Sequence, residues 1–427
     1  MRHVLGTTTA MITLEALRGY ILEELLAKLL KTSGYELLVS AHQDPDALMQ
    51  DKHGLVVRGR GANHQADVLG ELVLPTPFSL PIRLFVEAKY RRRHAIGLPA
   101  VRNAHGVIHD INQQYASAAA RRHAVPMRRY QYQYALFSAT GFSRDAQQYA
   151  LAQQISLIDL SSSVFADLRS AADRTAEQMI TIANEFGAQS FPVGRARTAL
   201  RFALGTWTAF DPDLEVTDDV WRSPQTRQSL ARLVDQYSED DEGLPAGAVS
   251  ASFARIGTDL AASVERLHQN LLLGFPTAPF VLVLRPNHPG AFAEHVSRHG
   301  TNIRVNIRFA TRRNVAEGWV IVPVNSFDGF ELRFTLPTLL ADWILSANGA
   351  ATLRARDIRS ALLSTISIIQ GGQLVQLLYE PLIGAIGARN STLAYSLRIK
   401  ACSIRYCRAG SGATRRMTGR SSPTSTR

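Results

Sequence analysis

The sequence predicts an α/β protein, with a mixed sheet flanked by helices in its N-terminal part and an α+β domain after it. Three stretches carry this expectation. Two apolar arms, Ala66–Leu74 and Ile82–Lys89, flank a turn containing Pro75, Thr76, Pro77 and Ser79, the pattern of an antiparallel hairpin. Gln131–Ala139, a helix capped by Ser143, and Ile155–Leu160 read as a strand–helix–strand unit, so that part of the sheet should be parallel. Beyond residue 247, strand-like runs at Phe280–Leu284, Ile303–Phe309 and Trp319–Val324 mix with helical ones at Ser250–Leu273, Leu336–Ser346, Ile358–Gln370 and Leu374–Ile386.

The remaining elements follow in order. Leu14, Leu17, Ile21, Leu22, Leu25, Leu26 and Leu29 give helical spacing over 12–31, with Thr13 as N-cap and Gly34 as the stop. Tyr35–Ser40 and Leu55–Arg58 read as strands joined by a polar connection, Gln43–His53. In the second hairpin arm, Ile82, Leu84, Val86 and Ala88 alternate into a core, while Arg83, Phe85, Glu87 and Lys89 point the other way. Val101–Arg122 reads as a helix with Gln113 and Gln114 in its latter half. Residues 164–205 are helical in pattern. The acidic clusters at Asp211–Asp219 and Ser238–Gly243 mark a solvated excursion within 206–246.

Composition narrows the function classes. The chain has 427 residues, 46% apolar, and a formal net charge of +11, which favours a polyanionic partner. The charge is concentrated at one end. No acid follows Glu380, and nine Arg or Lys do, from Arg389 to Arg427. Cys402 and Cys407 form neither a metal-ligand pattern nor a disulfide framework. No apolar run is long enough to span a bilayer, since Leu362–Ile386 is broken by Gln370, Gln373, Gln376 and Glu380. The N-terminus lacks the apolar core of a secretory leader, so a cytoplasmic protein without membrane contact is expected. Neither GxxxxGK[ST] nor GxGxxG occurs, which argues against an ATPase or a dinucleotide binder. His105 and His109, like His295 and His299, have i, i+4 spacing without a third zinc ligand and read as ordinary helix faces.

The hairpin holds the candidate chemistry. Pairing symmetric about the turn sets Asp67 beside Glu87 and Lys89. Glu-x-Lys on a strand is ordinarily a solvated pair. Here Glu87 ends an apolar run, where an unpaired charge is costly, and an Asp lies opposite. Asp67 and Glu87, with the Ala88 carbonyl, suit Mg2+, or Mn2+ in its place, a cation held by one or two carboxylates with waters and phosphate completing the shell. Such an ion polarises a phosphodiester and acidifies a bound water. Lys89, on the same side, orients the attacking water or stabilises the charge that builds on phosphorus. Arg91, Arg92 and Arg93, just past this strand, lie where a phosphate backbone would pass.

Asp67 followed by Glu87-Ala88-Lys89 resembles the D…E-x-K signature of the restriction-endonuclease-like superfamily, and more narrowly its Mrr-like branch. The helix from Leu22-Glu23-Glu24 to Ser33-Gly34-Tyr35 is similar to that branch's opening helix. Ala135–Ser143 and Ile155–Leu160 resemble its closing strand–helix–strand. The likeness spans about residues 12–160. It implies a restriction-endonuclease-like sheet, a role for Glu23 assisting the metal, and a contact to water or phosphate from Gln113 or Gln114. The organisation expected is a nuclease domain over 1–160, a helical linker with an acidic loop over 161–246, an α+β domain over 247–400 and a basic disordered tail over 401–427.

The leading expectation is a metal-dependent DNA endonuclease, by analogy serving restriction or anti-phage defence, working as a homodimer or with a second defence subunit. Alternatives are a structure-selective repair or recombination nuclease, a catalytically silent DNA-binding or partner-binding module, and RNA as the substrate.

Overall fold

The computed structural model describes residues 12–51, 54–72, 80–91, 93–117, 123–185, 191–208, 246–268, 271–288, 290–309, 318–324, 329–346, 350–370 and 372–381. Helix α1, Leu14–Thr32, opens the N-terminal part; the Thr13 hydroxyl caps it by accepting from Ala16 N at 3.2 Å, and Gly34 follows its end at φ +83°. A five-stranded mixed sheet then forms from β1 (Tyr35–Leu37), β5 (Val68–Leu72), β6 (Ile82–Lys89), β9 (Gln131–Ser138) and β10 (Ser156–Asp159), in that spatial order. β5 and β6 are the antiparallel arms of the hairpin, whereas β6, β9 and β10 run parallel. Helix α3, Arg144–Gln153, makes the crossover, capped by Ser143 accepting from Ala146 N at 3.3 Å. The expected strand at 55–58 forms as β3 (Gly54–Arg58); it pairs in a small antiparallel sheet with β4 (Asn63–Gln65) and with β2 (Leu48–Asp51), which lies inside the expected polar connection. Two short strands, β7 (Ala116–Ser117) and β8 (Val125–Pro126), pair between α2 and β9, where α2 is Leu98–Asn112.

α1 is buried on two sides. Leu22, Leu26 and Leu30 pack on one face of the sheet with Val68, Val86, Ala135 and Phe137. Leu17, Ile21 and Leu25 pack against α4 (Ala166–Glu185), α5 (Val193–Leu204) and α6 (Ala246–His268). Each such leucine or isoleucine contributes about 1.5–3 kcal/mol by leaving water. Residues 166–185 and 193–204, expected to be helices of a linker, are helices that build a core of their own with α1 and α6. The acidic excursion and the basic tail lie outside the described residues.

Strand β6 differs from its expected one-sided burial. Val86 is fully buried on the α1 side, and on the other side Arg83 and Phe85 are only 1% and 2% exposed. Arg83 is enclosed because its charge is matched. Its guanidinium meets Asp44 at 2.8 Å and Glu71 at 2.9 Å, donates to the Tyr132 hydroxyl at 3.0 Å, and lies 3.3 Å over the Tyr130 ring.

The C-terminal part is a closed barrel in the order β11-β12-β15-β14-β13-β17-β16. Its strands are β11 (Leu272–Pro276), β12 (Leu282–Pro286), β13 (Asn302–Phe309), β14 (Trp319–Pro323), β15 (Leu332–Phe334), β16 (Thr365–Gln370) and β17 (Gln373–Tyr379). Helices α7 (Ala291–His299), α8 (Thr338–Leu345) and α9 (Ala351–Ala361) accompany it. The expected helices over 358–370 and 374–386 are corrected. α9 ends at Ala361, and β16 and β17 form a hairpin that pairs Gln370 with Gln373. Alternate residues Ile366, Ile368, Val375 and Leu377 are all buried, a period of two rather than 3.6. Likewise α6 stops at His268, and β11 begins at Leu272 inside the stretch expected to be one helix. The described residues up to Glu380 pack as one compact unit. Among the described residues, no helix is long and apolar enough to cross a membrane.

Candidate active site

The end of β6 brings the hairpin carboxylates together. The register pairs Val68 with Val86, which sets Asp67 opposite Glu87 one step on. Asp67 N donates to Val86 O at 3.1 Å, and Ala88 N donates to Asp67 Oδ2 at 2.7 Å. β5 begins at Val68, so beyond it the β6 edge bonds to an aspartate side chain instead of a strand. In an antiparallel ladder the N–H and C=O of one residue face the same partner. The Ala88 carbonyl thus faces the Asp67 side as well.

Glu87 is held at both oxygens. Lys89 pairs with Oε1, and the Tyr134 hydroxyl donates to Oε2. Tyr134 belongs to β9, stands beside Phe85 in the parallel register, and stacks on its ring at 5.0 Å. Burial, and then the Glu87 charge, push its phenol well above the ordinary range, so it stays a donor. Burial also raises Asp67; the Ala88 N–H opposes this, Glu87 adds to it, and Lys89 and Arg197 counter it.

α1 and α5 form the facing wall. Arg197 on α5 reaches Glu23 Oε2 at 3.0 Å and Glu24 Oε1 at 2.7 Å, and Arg201 one turn on meets Glu24 at 3.2 Å. Burial lifts Glu23 to about 7, with Arg197 opposing and the charges of Asp67 and Glu24 adding. Glu23, Glu24, Asp67, Gln65, Arg197 and Arg201 all line one cavity of about 590 Å³. The expected grouping of Glu23, Asp67, Glu87 and Lys89 is thus placed at one end of the sheet.

Other expected residues are placed differently. Arg91 and Arg93 are exposed just past β6, and Arg92 lies outside the described residues. The expected helix over 101–122 is corrected to Leu98–Asn112, which leaves Gln113 and Gln114 beyond its body. Gln113 bonds to His109 at 2.6 Å and to Arg60 at 3.2 Å; Gln114 donates to Ala116 O at 2.5 Å. The Asn112 side chain ties this end of α2 to the backbone of Tyr132, whose partner Arg83 is near the start of β6. Both glutamines therefore sit at the opposite end of the sheet from Glu87 and Lys89 and take no part in the site. His105 bonds to the Tyr149 hydroxyl at 3.0 Å.

Sequence reasoning did not find Tyr134, Arg197 or Arg201. Tyr130, Tyr132 and Tyr134 alternate on one strand face, a signal that a sheet face carries hydroxyls. The i, i+4 spacing of Arg197 and Arg201 was visible, but nothing local says which cleft α5 faces.

Among the described residues no group of three His, Cys, Asp or Glu side chains converges as a metal cage. The donor set at the end of β6 is two carboxylates and a strand carbonyl, all hard oxygens. That set fits a small divalent cation that retains waters and takes further oxygens from a phosphate.

No protein-family model matches this chain, and no curated protein matches it. Among solved structures, it is similar to the crystal structure of a protein of unknown function, with 16% identity over 57% of this chain and 98% of the other and a TM-score of 0.25.

Proposed function

We propose that this chain is a metal-dependent endodeoxyribonuclease with a restriction-endonuclease-like core of the Mrr-like kind. The observation that carries the reading is the side-by-side placement of Asp67 and Glu87 at the end of β6, with Lys89 paired to Glu87 and Ala88 bonded to Asp67. Asp67, Glu87 and the Ala88 carbonyl would hold Mg2+ or Mn2+. When bound, the cation supplies Lewis-acid polarisation of the phosphodiester and a more acidic water. The chain's own residues do the rest. Ala88 N–H fixes the Asp67 carboxylate, Tyr134 fixes Glu87, and Glu87 fixes the Lys89 ammonium. Lys89 orients the attacking water and stabilises the added negative charge on the phosphoryl oxygens. The water oxygen gives a proton to solvent and bonds to phosphorus, the bond to the 3′ oxygen breaks, and that oxygen takes a proton from a solvent water, leaving a 5′-phosphate. Glu23, on the facing wall, assists by adding negative charge beside Asp67.

The resemblance also suggests work in restriction or anti-phage defence inside the cell, as a homodimer or beside a second subunit. A second reading, a catalytically silent DNA-binding module, is favoured by the occupation of both Glu87 oxygens. Relaxation of supercoiled plasmid with Mg2+ or Mn2+ separates the two. Nicking that Lys89→Ala lowers by two or more orders of magnitude supports the enzyme, and identical traces for wild type and Lys89→Ala support the silent module.

A further inference from the structure

The outer wall of the barrel carries arginines that the carboxylate site leaves unused. β12 buries Leu282 and Leu284 inside the barrel, which turns Val281, Val283 and Arg285 outward. The ladders extend this into a row across four strands. Arg285 stands opposite Arg333 on β15, Arg333 opposite Val320 on β14, and Val320 opposite Arg308 on β13. Residues paired across a ladder share a face. The three arginines are exposed, and Val320 between two of them is half-buried. With strands about 4.8 Å apart, the row spans about 14 Å from Arg285 to Arg308.

Its charge is poorly matched among the described residues. Arg333 pairs with Glu331 at 2.7 Å; among the described residues, Arg285 and Arg308 contact no carboxylate. Arg304, four residues before Arg308 on β13, has 76% of its side chain exposed and is 3.8 Å from Glu380. Like charges set directly opposite on adjacent strands destabilise a sheet, a cost that a bound polyanion removes. The row also has a defined start. Val281 and Val283 pack onto the apolar face of the catalytic sheet, so Arg285 emerges at the rim of that contact. Phe280 bridges Leu157 in parallel, which sends β12 in the direction of β10, toward the end of the sheet bearing Glu87 and Lys89.

We infer that Arg285, Arg333 and Arg308 dock the phosphate backbone of duplex DNA and lead it toward the carboxylates. That the polyanion is DNA rests on the nuclease reading. The span of the row suits the two phosphate walls of a major groove about 12 Å wide. Its one uncharged member is a valine rather than the aromatic platform that single strands use.

The test is fluorescence anisotropy of a labelled duplex in EDTA, where nothing is cut, across a salt series. The arginine-to-alanine triple variant at 285, 308 and 333 should bind about tenfold or more weakly at low salt. Its plot of log affinity against log salt should be shallower by about 2.7, three phosphate contacts at about 0.9 each. The corresponding arginine-to-lysine triple should keep most of the slope. An unchanged slope in the alanine triple, equal losses in both triples, no binding of duplex by wild type, or an effect confined to single-stranded RNA would each overturn the inference. A protein that binds through the row yet never cuts sinks the nuclease reading alone.

Discussion

Glu23→Gln should make the protein more stable above neutral pH, and the size of the gain follows from the site. Glu23 has 17% of its side chain exposed, is paired to Arg197, and lies in the field of Asp67 and Glu24. Folding lifts its carboxyl from an ordinary value of 4.5 to about 7. A raised carboxyl means the folded state binds the proton more tightly than the unfolded one. Stability therefore falls as pH rises from about 4.5 to about 7, and the full penalty applies above that. The penalty is about 3 kcal/mol at most, at 1.36 kcal/mol per pKa unit. Glutamine copies the neutral acid, so Glu23→Gln should match wild type near pH 4 and exceed it by up to about 3 kcal/mol near pH 8. Urea unfolding in EDTA across that range measures it, since a whole domain is worth only about 5–15 kcal/mol. Parallel stability profiles for the two proteins would refute the argument.

Arg83→Met should cost about 3–5 kcal/mol in the same unfolding assay, because it strands Asp44 and Glu71 without their buried cation; a loss under about 1 kcal/mol would contradict this. Gly274→Ala should destabilise by about 1–3 kcal/mol, because a Cβ there would meet Ile366 and Leu284 side-chain carbons at 2.9 Å; an unchanged urea midpoint would show that the barrel yields. Tyr134→Phe should lower plasmid nicking about tenfold or more while costing only about 1 kcal/mol of stability, since it removes one hydroxyl donor to Glu87 and keeps the ring on Phe85; full activity would show that Glu87 needs no such support.

Local chemistry made much of the N-terminal part legible. Ser143 announced its helix, the β5–β6 register placed Asp67 opposite Glu87 as symmetry about the turn suggested, and Ile155–Leu160 returned parallel to β9. What stayed hidden depends on distant partners. Arg83 looked like a surface residue because Asp44, Glu71 and Tyr132 lie far from it in sequence. Arg197 and Arg201 belong to the site only because α5 packs on α1, which no local pattern states. The β16–β17 hairpin was misread for a different reason. Ile366, Ile368 and Ile369 satisfy helical as well as strand spacing. Gly371-Gly372, the turn signal between two β-branched or leucine-rich arms, should have outweighed that ambiguity.

The sharpest measurement for the proposed centre is calorimetric titration of Mn2+ into the wild type and into a variant carrying both Asp67→Asn and Glu87→Gln. The account predicts a saturable binding event in the wild type that the double variant lacks while both proteins unfold at similar urea concentrations. Equal heats in the two proteins, or none in either, would contradict it.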